Sequence, residues 1–435
     1  MPSDQNPVTP GPGTGGAVVL VDPYSSGVAL GKALRRAGLT TYAVLSYPPP
    51  DPRLTRTFEA GDHTDVISAE KGFSRVVDFV RNLGPLAVIA GIETGVELAD
   101  SLSAELGLTL ANDPALSRAR RDKAAMMRTL QDAGVPVIRS MPVTDWRGSA
   151  QTVAAHGLST ETGDLVVKPT RSAMSDGLRL ARRGSDLEAT VREVLGTRNV
   201  MGSVNDTVLV QERVHGTEYV VDTFSDRGHH VVTNVCRYNK VAFGDSFAVY
   251  ESTDFLPEDS PEIAALVPYV KRVLNALGIR FGACHNEVML TEDGPLLMET
   301  GARLAGSGLV GAAELATGGS GISRYVQRLA EGATDGGDYR LQRRVRGVYL
   351  VFRRHGTVTN TAALERIRTL RSCRHAELSV RDGDVVSPTG GLMSTMTRGW
   401  ALLAHRDLDQ VERDHEEFRR IESELTFTGH AGEGR

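Results

Sequence analysis

The sequence predicts a multidomain chain of α/β and α+β units, and three observations carry that expectation. Its 435 residues are too many for one ordinary hydrophobic core. Strand and helix patterns alternate from residue 17 to about 112, as in a small parallel α/β unit. From about 135 the pattern changes to strands joined by hairpin-like turns, as in an antiparallel α+β unit.

Taken in order, residues 1–16, MPSDQNPVTPGPGTGG, are rich in Pro, Gly and Thr without periodicity and read as a disordered leader. Their GPGTGG is not a dinucleotide fingerprint, because that loop follows a strand and this one precedes the strand AVVLV. DPYSSGVALGKALRRAG reads as a loop running into a helix that ends near Gly38. Gly27, Gly31 and Lys32 are too closely spaced for a P-loop, and Ala33 stands where Ser or Thr is needed. TTYAVLS, LAVIAG and a helix from about Glu93 to Leu106 complete a first domain over 17–112. A helix is expected from about Ser117 to Ala133, stopped by Gly134 and Pro136. The strands DLVVKP, LRLARR, TVLVQERV, EYVVDTFS and HHVVTNVCRY build the middle of the chain. After a linker near 332–342, a C-terminal α+β unit spans 340–428, with strands near 345–352 and 398–404 and a helix from about Asp407 to Glu424. Residues 429–435 read as a disordered tail.

Composition excludes several classes. A net charge of -5 gives no basic footprint for nucleic acid. No apolar run reaches membrane-spanning length and the start lacks a signal pattern, so the expected location is cytoplasmic. Three cysteines, Cys236, Cys284 and Cys373, read as reduced packing residues. The chain carries 43 arginines and only six lysines, Lys32, Lys71, Lys123, Lys168, Lys240 and Lys271. Against that bias, a lysine inside a motif is there for its compact ammonium head.

The stretch HNEVMLTEDGPLLMETGARLAGSG places Glu287 and Glu299 among apolar strand residues, with Arg303 four positions beyond. A three-residue loop of Glu292, Asp293 and Gly294 would set Thr291 against Pro295 and Glu287 directly opposite Glu299. A two-residue loop would turn the glutamates to opposite faces. Two carboxylates about 5 Å apart repel by roughly 3 kcal/mol at an effective dielectric near 20. A magnesium ion between them removes that cost. The same register puts His285 on their face, opposite Gly301. DLVVKPTRSAMSDGLRLARR ends a strand in Lys168 and follows it with a Ser and Gly loop suited to cradling phosphate. Lys123 sits near a helix start, where an anion would offset the macrodipole's penalty. Glu212 and Glu218 flank a glycine turn, where they could take ribose hydroxyls and an adenine amino group.

Lys123, then VVKP with its loop, then QERVHGTEYVVD, then NEV and METGAR, together resemble the ATP-grasp superfamily over residues 17 to about 310. That resemblance implies an ATP-grasp fold: an N-terminal unit over 17–112, then an ATP-grasp domain over 113–335 with a nucleotide-binding subdomain at about 135–212. Lys123 and Lys168 would hold the ATP phosphates with Ser175 of the loop, while Gln211, Glu212 and Val214 line the adenine slot and Glu218 takes the ribose. Glu287 and Glu299 would bind one or two Mg2+ ions, with Mn2+ an acceptable substitute, and Arg303 would neutralise the transferred phosphoryl group.

VDPYSSG, METGARLAGSG and the C-terminal unit look most like L-amino acid ligases, which join a carboxylate to an amine through an acyl phosphate. The implied partners are small amino acids or amines, with a homodimer compatible and neither nucleic acid nor membrane involved. Within METGARLAGSG, Gly306 falls on the substrate side, and His285 is a further substrate contact. Three positions depart from the family. Gly301 replaces a metal-ligand Asn, Met174 replaces a flap glycine, and FAVYESTDFLP matches the substrate motif with Glu251 as its acid but Asp254 in place of its histidine. That added carboxylate would favour a cationic or guanidino first substrate. The rival readings are another ATP-grasp chemistry such as carboxylation, and a non-catalytic nucleotide-binding regulator.

Overall fold

A computed structural model describes residues 15–243, 246–306, 308–332, 336–390 and 392–429. The expected leader and tail lie outside the described residues, apart from residues 15, 16 and 429. Ala17–Val21 is apolar throughout and almost wholly buried, which suits the centre of a parallel sheet covered on both faces. Thr40–Leu45 and Val66–Ser68 lie on one side of it and Ala87–Ala90 on the other, all parallel. The loops after Val21 and Ala90 leave the carboxyl ends of adjacent strands, where open α/β sheets bind ligands. They pack so closely that a Cβ on Gly91 would lie 2.3 Å from the Asp22 carbonyl oxygen. Sequence periodicity missed the strand Val66–Ser68 and the helix Phe73–Leu83 of this unit.

The helix expected from Ser117 begins instead at Lys123. Before it, Pro114–Leu116 and Arg118–Arg120 form short 3-10 turns, pinned by Arg120. That buried guanidinium bonds the Asp100 carboxylate and the Asp113 carbonyl, both at 2.8 Å, and the Leu277 carbonyl at 2.9 Å. Asp122 then caps the helix by accepting from the N–H groups of Ala124 and Ala125.

Two antiparallel sheets face each other beyond this helix. The smaller has Ser140–Val143, Val208–Glu212, Leu165–Pro169 and Arg179–Ala181 in that spatial order, with the helices Trp146–Ala155 and Leu187–Val194 on its back. The larger is eight-stranded, running from Gly294–Gly301 through Gly282–Thr291, Thr217–Asp226, His229–Phe243 and Ser246–Phe255. It then continues into Arg344–Tyr349, Gly399–His405 and Cys373–Leu378. What reads in sequence as a separate C-terminal unit therefore shares its main sheet with the preceding one. It still has a core of its own, in which Val348, Phe352, Leu364 and Phe418 join the sheet to the helix Leu408–Ser423. Among the described residues, no helix is long and apolar enough to cross a membrane.

Candidate active site

Between the two sheets lies a cleft of about 620 Å³, closed at one end by loops of the N-terminal unit. Strand alternation decides what the large sheet presents to it. Glu218, Val220 and Asp222 share one face of their strand, and pairing aligns them with Met289, Glu287 and His285 of the next. On the other side Glu218 pairs with Tyr238.

The hairpin reaches its glutamate pairing by a route the sequence did not disclose. Thr291 pairs with Gly294 and Leu290 with Pro295, so the loop has two residues, Glu292 and Asp293, and not the three expected. On that register the glutamates would face apart. One register shift between Glu287 and Val288 leaves Met298 as an extra residue, and beyond this bulge Glu287 lies opposite Glu299 and His285 opposite Gly301. Burial disfavours the charged Glu287 carboxylate, but His285, Lys240 and Arg303 outweigh that and hold it well below the usual carboxylate range. Two paired carboxylates facing a cleft lined by lysines form a donor set that fits Mg2+ completed by phosphate oxygens.

The cations converge on this pair. Lys123 Nζ lies 3.0 Å from Glu299 Oε1 and donates to the Ser172 carbonyl at 2.7 Å, tying the helix start to the flap. Lys168 is buried, and burial followed by the neighbouring Lys123 ammonium presses it down to about 8. The flap turns through Met174 and Ser175, both at φ 59°, so Met174 adopts the left-handed backbone that a glycine would take there. Asp176 anchors the flap by accepting from Ser172 Oγ at 2.8 Å and from the Val200 N–H at 3.0 Å.

At the opposite end, Gln211, Glu212 and Val214 line the cleft with Val166. Gln211 is buried, and among the described residues its Nε2 has no hydrogen-bond partner, as suits a group aimed at a ligand. Glu212 is partly exposed and pairs with Arg139 at 3.1 Å. Glu218 is held at 2.7 Å by Lys240, whose ammonium sits 4.2 Å from the centre of the Tyr250 ring.

His285 lines the cleft beside Gly306 and Arg303. Its Nδ1 is 2.7 Å from Asp222 Oδ1 and its Nε2 is 3.5 Å from Glu287 Oε1. Burial opposes its charge, yet Asp222 raises it to about 9. Glu251 and Asp254 do not line the cleft, so the expected substrate role for them is corrected. A register slip leaves Glu251 in a bulge with its carbonyl taken by Arg419. Asp254 has an arginine directly opposite on each neighbouring strand, Arg237 and Arg346, and both bond its carboxylate with Asn239. Its charge is consumed inside the sheet, and no cationic substrate group is called for.

Sequence reasoning assigned no role to four groups in or behind the cleft. Asp222 lay within a quoted motif, and Lys240 among the six lysines, so both carried a signal. Ser26, which donates to the Ala305 carbonyl, lay within the quoted VDPYSSG. Glu93 carried no signal, since only tertiary folding brings its loop to Arg303.

Residues 162–310 match the family described as an ATP-grasp domain. Dapdiamide A synthase from Enterobacter agglomerans is 30% identical over 316 residues, covering 71% of this chain and 72% of that protein. The chain belongs to the ATP-grasp family. Its architecture is also that of an L-amino acid ligase from Bacillus licheniformis, with a TM-score of 0.70 over 96% of this chain and 99% of that one at 17% identity. N5-carboxyaminoimidazole synthetase from Staphylococcus aureus, complexed with ADP, gives 0.66 over 93% and 97% at 12% identity. At such identities the likeness is one of fold.

Proposed function

We propose that the protein couples the carboxylate of one amino acid to an amine, most simply that of a second amino acid, releasing ADP and phosphate. The observation that carries this reading is the Glu287 and Glu299 pairing on the cleft face, within reach of Lys123, Lys168 and Arg303. Lys123 and Lys168 hold the terminal phosphates of ATP, with Ser175 of the flap against them. Gln211, Glu212 and Val214 take the adenine, and Glu218, oriented by Lys240, takes the ribose. Glu287 and Glu299 would hold one or two Mg2+ ions, or Mn2+, which supply charge neutralisation at the transferring phosphoryl group.

A donor carboxylate oxygen attacks the γ phosphorus and ADP leaves, giving an acyl phosphate. Arg303 bears the charge on the phosphoryl oxygens as it develops. The amine then attacks the acyl carbon, its proton departs, and the carbon–oxygen bond to phosphate breaks. The closed flap keeps out the water that would otherwise hydrolyse the acyl phosphate. Gly306 and His285 lie at the substrate end of the same cleft. A cytoplasmic setting with free amino acids, small-molecule partners and a homodimeric assembly are consistent with this reading.

The test is a phosphate-release screen over pairs of amino acids and amines, with mass spectrometry of the products. The reading predicts a condensed amide for at least one pair, dependent on Mg2+. Release stimulated by bicarbonate alone, with no amide formed, would favour carboxylation instead.

A further inference from the structure

We propose that Asp222 is a positioning residue for the metal site, acting through His285, whose imidazole it fixes so that the far ring nitrogen faces Glu287. The inference rests on the reading of Glu287 and Glu299 as Mg2+ ligands and names the group that orients the first of them. Register brings the three side chains together. Asp222 pairs with His285 across the strands Thr217–Asp226 and Gly282–Thr291, and Glu287 follows His285 by two positions on the same face. On the other neighbouring strand Asp222 pairs with Asn234.

The Asp222 carboxylate is buried, and both of its oxygens are engaged. Oδ1 lies 2.7 Å from His285 Nδ1, and Oδ2 accepts from Asn234 Nδ2 at 2.9 Å. Held at Nδ1, the imidazole presents Nε2 to Glu287 Oε1 at 3.5 Å, the nearest basic nitrogen to that carboxylate among the described residues. The two glutamates are therefore secured differently. Glu299 is met by Lys123 from the helix that starts there, and Glu287 by a chain of three side chains running back into the sheet. Neither Asp222 nor Asn234 lines the cleft, so what they contribute passes through His285. A buried Asp and His pair gives a sheet little net stability, because desolvation offsets most of the attraction. Its place behind Glu287 gives it a use, since a carboxylate already aimed before the metal arrives loses less freedom on binding it.

The experiment measures the affinity of the full-length protein for AMP-PNP, with Mn2+ and again in EDTA, for wild type, Asp222→Asn and Asn234→Ala. The ratio of the two affinities is the metal's contribution. An amide has one acceptor oxygen where the carboxylate has two, so Asp222→Asn leaves His285 or Asn234 without a partner. The ratio should fall roughly 10-fold or more in that variant, with the affinity in EDTA within about two-fold of wild type. Asn234→Ala removes only the outer link and should lower the ratio about three-fold. This milder change carries the test if Asp222→Asn does not fold. With a substrate pair accepted in the product screen, raising the Mn2+ concentration should restore most of the turnover lost in Asp222→Asn, which general damage to the site would not allow. A ratio unchanged in both variants would overturn the inference. So would a raised KM for the carboxylate donor with the ratio unchanged, since His285 would then be reading substrate. Both results leave the ligase reading intact, and that reading fails separately if wild type binds nucleotide with metal yet forms no amide from any pair. A wild-type ratio near one would remove the metal from the glutamates and the inference with it.

Discussion

Glu299 has two partners to satisfy, Lys123 at 3.0 Å and the metal it would share with Glu287. Glu299→Gln keeps the shape but removes the charge, so phosphate release should fall at least about 100-fold while circular dichroism stays that of wild type. Lys168 gives a second handle. Held near a value of about 8 by burial and then by Lys123, it is a full cation only below that pH. As pH rises through about 8 the free enzyme loses the charge that receives phosphate, so kcat/KM for ATP should fall about tenfold per pH unit. A profile flat from pH 7 to 9 would remove Lys168 from this role. At this scale the sequence disclosed the residues whose chemistry is unusual for their surroundings: scarce lysines, glutamates among apolar strand neighbours, an arginine just beyond. It disclosed nothing of Glu93, an ordinary loop acid until folding brings it against Arg303.

The flap and the metal hairpin show what elements add. Met174 occupies left-handed backbone at φ 59°, which costs a non-glycine residue about 1 kcal/mol. Met174→Gly should therefore leave KM for ATP within about two-fold of wild type. Met174→Val, β-branched and poorly tolerated at positive φ, should raise it roughly tenfold as the flap opens. Steady-state kinetics at saturating amino acids distinguishes the two. The hairpin pairing was legible because strand alternation is strict, but the means was not. A two-residue loop and a bulge at Met298 give the same Glu287 and Glu299 register as a three-residue loop without one. Periodicity alone cannot separate two solutions that differ by compensating shifts. The helix start at Lys123 was displaced for a similar reason, since the Asp122 cap and the buried Arg120 prevail over continuous helical propensity.

Across the whole molecule, the eight-stranded sheet joins segments from residues 217 to 405, and an ionic network fastens the C-terminal helix to its back. Arg346 links Asp254 to Glu412 and donates to Nδ1 of His415 at 2.9 Å, which requires that nitrogen to be unprotonated. Burial first, then Arg346 and Arg419, lower the imidazole from 6.5 to about 4. The unfolded chain thus takes up this proton at a higher pH than the folded one. The stability tied to His415 is complete above pH 6.5 and is lost as the pH falls toward 4. Thermal melts should show the melting temperature declining through that window, and His415→Gln should flatten the decline. Sequence composition foresaw several units but not their continuity, because Ser246–Phe255 and Arg344–Tyr349, whose pairing joins the two segments into one sheet, resemble any other alternating strands.

The central claim is that a donor carboxylate is activated as an acyl phosphate over the paired glutamates, and isotope transfer tests it most directly. With a donor labelled by 18O in both carboxylate oxygens, the account predicts phosphate carrying a single 18O atom for each amide formed. Unlabelled phosphate accompanying amide product would contradict it.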